Sequence, residues 1–232
     1  VSVRDFSPQP IDDALLDTLI HAARRTPTSS NTQTYSIVIV RNPDTKRTLA
    51  QLAGDQKHIE TCAVFVALCA DITHLEQSAR MHGQPLAKNL ELTMIATIDA
   101  ALVGQSLALA AESVGLGTVM IGGMRNHPQE VAEVLALPDG VFVVYGMCIG
   151  HIAHKPAQKP RLPQAVVVHH EQYRVSDDAE LAAHDAELAA HYEPQGRNAH
   201  PAAWSGFNAR KFNTPQRSFL RAVLERRGFS FE

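Results

Sequence analysis

Residues 88–117 read KNLELTMIATIDAALVGQSLALAAESVGLG, and this stretch decides the architecture. It holds no proline, and Gly104 is its only glycine before Gly115. Alanine and leucine dominate it, and both are good helix formers. Gly115 and Gly117 read as helix-end glycines. The expectation is one helix over 88–116, roughly 40 Å long at about 1.5 Å per residue. Its apolar residues are not confined to one stripe, the mark of a helix buried on several sides. Glu91, Asp99, Gln105 and Glu112 interrupt it too often for a membrane span. A 232-residue chain has few elements with which to surround such a helix, so a second subunit is expected to cover one side.

Working outward, residues 11–25 form an amphipathic helix, with Leu15, Leu16, Leu19, Ile20 and Ala23 on one face and a stop at Pro27. The polar run 26–34 leads into a β-branched strand at 36–40, which Asn42-Pro43 breaks. A short helix at 45–53 precedes AVFVALCA at 63–70, a buried strand by its continuous apolar character. After the long helix come a strand at 118–121 ending in Gly122-Gly123, a short helix at 128–136 and a long strand at 141–149. Residues 159–163 (KPRLP) are stiff and extended, and a helix capped by Ser176 spans 176–192. Residues 193–213 read as an exposed loop, and 215–227 as a basic closing helix. The pattern is α+β, a mixed sheet flanked by helices in a single domain over 1–232.

Composition narrows the function classes. The net charge of -3 argues against a protein devoted to nucleic acid, which needs a basic surplus. Three cysteines, an odd and low number, argue against a disulfide scaffold and suit a reducing compartment, hence a cytoplasmic expectation. The opening VSVRDF has neither a cationic nor an apolar signal region. It also lacks Met, so the true start is expected upstream.

Several motifs fail on context. GLGTVMIGG follows a helix and precedes a strand, the reverse of a dinucleotide-binding fingerprint. No H-E-x-x-H, C-x-x-C or G-x-S-x-G occurs, so neither a zinc site nor a hydrolase elbow is indicated. Two settings favour an anion instead. Arg4 stands beside Ser2 in an extended segment, and Lys159 and Arg161 flank Pro160 on a backbone that loses little freedom on gripping a phosphate. The uncharged run TPTSSNTQ at 26–33 reads either as a helix-end loop bonded to itself or as a cradle for a polar ring or ribityl chain. Gly122-Gly123 is either a simple turn or a place where a flat ring lies against bare backbone.

Together the motifs resemble the FMN-dependent nitroreductase and flavin reductase family, in particular its NADPH-linked oxygen-insensitive branch. They are SVRDF at 2–6, ARRTPTSSNTQ at 23–33, GDQKHI at 54–59 and the run from 99 to 126. LALP at 135–138, YGMCIGH at 145–151, KPRLP at 159–163 and Trp204 follow in order. The resemblance implies an interlocked homodimer with FMN at the subunit interface. It implies that Ser2, Arg4, Lys159 and Arg161 hold the phosphate, and that Thr28, Ser29 and Ser30 meet the flavin and its ribityl chain. Gln56 would face the isoalloxazine, with Met120, Ile121, Gly122 and Gly123 against the ring. Arg125, Arg197 and Arg217 would meet NAD(P)H or substrate. Two departures stand out: Val1 occupies the place of a family Arg, and the loop before Trp204 offers Arg197 as its one cation.

The implied reaction passes hydride from NADPH or NADH through flavin N5 to a nitroaromatic, quinone or free flavin, by a ping-pong mechanism. No catalytic side chain is named, because the cofactor carries the chemistry. The small-molecule electron acceptor is the partner expected, with neither nucleic acid nor membrane. The alternative is a flavin- or nucleotide-binding sensor or carrier without turnover.

Overall fold

VFVALCAD, residues Val64–Asp71 (β3), is buried along its whole length. Successive side chains of a strand point to opposite faces. Val64, Val66, Leu68 and Ala70 enter one apolar core, and Phe65, Ala67 and Cys69 the other. Tyr35–Val40 (β2) pairs antiparallel with one edge of β3 and Val141–His154 (β5) with the other. Leu116–Ile121 (β4) pairs antiparallel with β5, and Asp5–Phe6 (β1) pairs with the end of β5. The one parallel contact among the described residues is the bridge between Ser2 and Thr118. The register of β3 on β5 slips between Leu68 and Cys69, where Val144 is the extra residue. That bulge puts Phe142, Val144, Tyr145 and Met147 all in the first core.

The computed structural model describes residues 1–195 and 204–232. Where the sequence reading has one domain, the chain gathers into two compact units, Val1–Pro156 with Arg217–Glu232, and Ala157–Gln216. The first unit holds the sheet and most helices. Asp13–Ala23 (α1) and Leu90–Ser113 (α5) cover one face of the sheet. Pro43–Leu52 (α2), Lys57–Thr61 (α3) and Pro128–Val134 (α6) cover the other. Leu220–Arg226 (α10) closes the unit.

The long helix is about 36 Å, from 24 residues, and starts where Asn89 accepts the Leu92 N–H at 3.0 Å. By length and composition alone it could cross a membrane, so its acidic interruptions do not settle the matter. On its inner face Ala96, Ala100, Val103 and Leu107 are fully buried in the core beside α1 and β3. Gly115 ends it in the left-handed region at φ +82°. Gly117 does not: it lies inside β4, where a Cβ would stand 2.9 Å from Val3.

Other expectations shift for local reasons. Between β3 and the long helix, Thr73–Met81 forms a further helix (α4) that the sequence reading did not assign. The closing helix starts at Leu220, because Arg217 adopts a left-handed φ of +51°. In the second unit the short helix Gln164–Val167 (α7) precedes Asp178–Tyr192 (α8). The cap of α8 is Asp177, one residue later than read: Asp177 and Glu180 bond each other's backbone N–H at 2.9 and 3.0 Å. Within the expected loop 193–213, Ser205–Lys211 is a helix (α9). Asp185 of α8 anchors it by accepting the Trp204 and Ser205 N–H groups at 2.8 and 2.9 Å and the Ser205 hydroxyl.

Candidate functional site

The polar run after α1 is tied to α5 at two places. Thr26 Oγ1 lies 2.7 Å from Ser106 Oγ. Seven residues earlier on the same face of α5, Asp99 is fully buried. Its carboxylate accepts the Ser29 N–H at 3.0 Å, the Thr34 N–H at 3.1 Å and the Thr34 hydroxyl at 2.8 Å. Between those anchors Ser30, Asn31 and Gln33 have φ of 47°, 58° and 53°. Thr28 Oγ1 accepts the Gln33 N–H at 3.3 Å, while Ser29 and Ser30 are exposed. The run is therefore a loop bonded to itself, with Ser29 and Ser30 at its surface. Asp99 was legible only as an interruption of an apolar helix; an acid on the face toward the core was the signal.

The end of β4 carries the second group. Met120 is 44% exposed, whereas Ile121 turns into the core. A Cβ on Gly123 would stand 2.5 Å from the Ala53 carbonyl oxygen and 2.6 Å from Gln56 Nε2. A Cβ on Gly122 would stand 3.4 Å from an Arg125 guanidinium nitrogen. The missing side chains thus admit polar groups to the strand end. Gln56 Nε2 donates to the Ala53 carbonyl at 2.8 Å. Asn126 Nδ2 reaches the same carbonyl at 3.4 Å, and Asn126 Oδ1 accepts Arg217 Nε at 3.0 Å and its terminal nitrogen at 2.7 Å. Arg125 donates to the carbonyl of Val144, the bulge residue of β5. Gln56, Gly122, Gly123, Arg125 and Arg217 therefore lie together at this strand end. Asn126, which joins Gln56's turn to Arg217, was not singled out. Burial, with the charge of Arg217 second, lowers the Arg125 pKa. No ion pair among the described residues offers either arginine a carboxylate, so this is an electropositive strand end.

The N-terminal segment passes along the other edge of β4, where the Val3 N–H donates to the Thr118 carbonyl at 2.9 Å. Ser2 and Arg4 are exposed, with Arg4 reaching only its neighbour's Ser2 carbonyl at 3.5 Å. α3 packs on β1 and brings His58 near Arg4; burial first, then Arg4, depresses the His58 pKa. His58 Nε2 is enclosed without a hydrogen-bond partner among the described residues.

In the second unit Lys159 and Arg161 are exposed. Arg161 folds back on the carbonyls of Lys159 and Pro160 at 3.1 and 3.3 Å, and Lys159 Nζ lies 5.6 Å from the Tyr192 ring centre. Arg197 lies outside the described residues. The three cysteines are buried and free. Burial and Asp71 push the Cys69 thiol up to about 12. Burial and its neighbour Cys62 push Cys148 well up, so neither is a ready nucleophile.

Comparison with known proteins gives a consistent match. The family model described as the nitroreductase family covers residues 1–151, and that for the nitroreductase family C-terminal domain covers 159–232. The chain is 35% identical to the FMN reductase (NADPH) of Bacillus subtilis, over 99% of this chain and 94% of that protein. It is 37% identical to the oxygen-insensitive NADPH nitroreductase of Salmonella typhimurium, over 99% and 94%. Among solved structures, NfrA2 of B. megaterium matches with a TM-score of 0.96 at 36% identity, covering 100% of this chain and 95% of that one. The NADPH:FMN oxidoreductase of Vibrio harveyi complexed with NAD+ matches with a TM-score of 0.91 at 35% identity, covering 100% and 96%.

Proposed function

The chain belongs to the nitroreductase family, and from that premise we propose that it is an NAD(P)H-dependent FMN oxidoreductase. The observation that carries the reading is the end of β4. At Gly123 the Ala53 carbonyl and the Gln56 amide take up the place of a Cβ, and the Arg125 guanidinium lies in ordinary contact beside Gly122. Such an edge offers amide donors and positive charge to a flat ring on which negative charge develops as it is reduced. That charge favours the anionic reduced form of a flavin.

The residues divide by chemistry. Ser29 and Ser30 present hydroxyls, with Thr28 beside them, to the ribityl chain. Arg4 with Ser2, and Lys159 with Arg161, are the phosphate contacts; each cation is exposed and reaches no carboxylate in any ion pair among the described residues. Arg125 and Arg217 face the nicotinamide cofactor or acceptor. FMN, when bound, would supply the redox chemistry between NAD(P)H and a nitroaromatic, quinone or free flavin, and sharing of one site by the two substrates would give ping-pong kinetics. No side chain is needed as acid or base.

We further propose a homodimer. Leu90, Met94, Ile98, Leu102 and Leu109 stay exposed on one face of α5 although all are large and apolar. A contiguous apolar face of that kind marks an interface, and light scattering measures the mass directly. Three buried free thiols suit the reducing cytoplasm.

The test is a spectrum and an assay. The purified protein is expected to be yellow and to oxidise NADPH or NADH faster when a quinone is added. A folded, colourless protein, inactive with added FMN, overturns the proposal.

A further inference from the structure

We propose that Asp99 is the positioning residue that fixes the loop 26–34 in the shape that takes the ribityl chain of FMN. It touches the loop and not the cofactor. The inference rests on the flavin reading above.

The loop has a conformational cost to meet. Ser30, Asn31 and Gln33 all lie in the left-handed region, at φ of 47°, 58° and 53°. Each such non-glycine residue is disfavoured and persists only where its surroundings over-determine it. Those surroundings are not apolar, because Ser30, Asn31 and Gln33 are exposed. What spans the strained stretch is the Asp99 carboxylate. One oxygen accepts from Ser29, just before the first left-handed residue, and the other accepts from Thr34, just after the last.

The dependence is mutual. Asp99 is 0% exposed on an apolar helix, and a buried carboxylate without donors is strongly disfavoured. The loop's amides and the Thr34 hydroxyl are therefore its solvent, and the carboxylate is their acceptor. These inward bonds use backbone N–H groups and a threonine hydroxyl. The Ser29 and Ser30 side chains are left at the surface in one arrangement, as a binding site requires. Asn at this position would keep one acceptor and turn an NH2 toward a donor.

The experiment compares Asp99→Asn with the wild type in two measurements. Hydrogen exchange on the FMN-free protein is expected to show the Ser29 and Thr34 amides losing protection while β3 keeps its own. FMN and riboflavin, titrated separately by flavin fluorescence, are expected to lose affinity by the same factor, roughly tenfold or more. Equal loss for the two ligands places the effect at the ribityl chain, which they share. A loss for FMN alone, or affinities within twofold of wild type, overturns the proposal. Loss of protection throughout β3 signals general unfolding, and the decision then passes to the second variant. Should Asp99→Asn fail to fold, Thr34→Val removes one accepted bond and is expected to give a smaller loss, equal for both ligands; no loss, or an unequal one, overturns the proposal. A wild type that binds no FMN overturns the flavin reading itself, whereas one that binds it while the variants bind equally well overturns only the role of Asp99.

Discussion

Gly123 and Ala53 approach so closely that a Cβ on the glycine would stand 2.5 Å from the alanine carbonyl oxygen. That carbonyl cannot retreat cheaply, because it accepts from Gln56 at 2.8 Å and from Asn126 at 3.4 Å. Gly123→Ala is therefore expected to destabilise the fold by about 1–3 kcal/mol, the usual cost of overpacking. It should also shift Gln56 and weaken FMN binding. Thermal unfolding and flavin titration check both. Gly122→Ala, which meets only the movable Arg125 end at 3.4 Å, should be milder.

Asn126 holds Arg217 by two hydrogen bonds at 3.0 and 2.7 Å. Asn126→Ala frees a guanidinium on a residue already at φ +51°. Hydrogen bonds to charged groups contribute about 1.5–3 kcal/mol when sheltered, and this half-exposed one deserves the lower end. The expected result is a rise in the KM for NAD(P)H of roughly tenfold, with FMN affinity falling less. Steady-state kinetics at saturating FMN separate the two.

Arg161→Ala removes one proposed phosphate contact. FMN affinity is expected to fall roughly 10- to 100-fold, corresponding to about 1.5–3 kcal/mol for a charge-assisted bond. Riboflavin, which has no phosphate, should bind the variant and the wild type alike. Unchanged FMN affinity would take Arg161 out of the site.

Asp185 links pH to the second unit. The Ser205 hydroxyl first, then the Ser205 and Trp204 N–H groups, hold its carboxyl below the usual value of 3.8. A depressed folded pKa means the contact is at full strength above the ordinary carboxylate range and is lost as pH falls through the lower folded value. Trp204 is the chain's one tryptophan, so its fluorescence reports the loss. A transition is expected below about pH 3.8. Asp185→Ala should show the acid spectrum already at neutral pH.

Much of this was legible in the order of residues. The long helix, the buried β3 and the α+β pattern follow from periodicity and from continuous apolar runs, because burial of side chains drives both, whereas the antiparallel pairing was read only from the structure. Boundaries moved where one side chain chose between adjacent positions, as Asp177 did over Ser176 by pairing with Glu180. Gly117 was misread because a glycine near a helix end and a glycine under a crossing strand look the same in sequence. Only the approach of Val3 distinguishes them.

The sequence by itself determined the elements, the family and the kinds of side chain the site contains, since motifs and local propensities act over a few residues. The tertiary structure alone decided which of those side chains depend on one another. Asp99 and Thr34 are 65 residues apart, and Asn126 and Arg217 are 91 apart. Their hydrogen bonds exist only because the sheet brings distant turns within about 3 Å, the range over which such bonds act. No spacing in the chain encodes that meeting. It is a consequence of packing α5 on one face of the sheet and the Gln56 turn on the other.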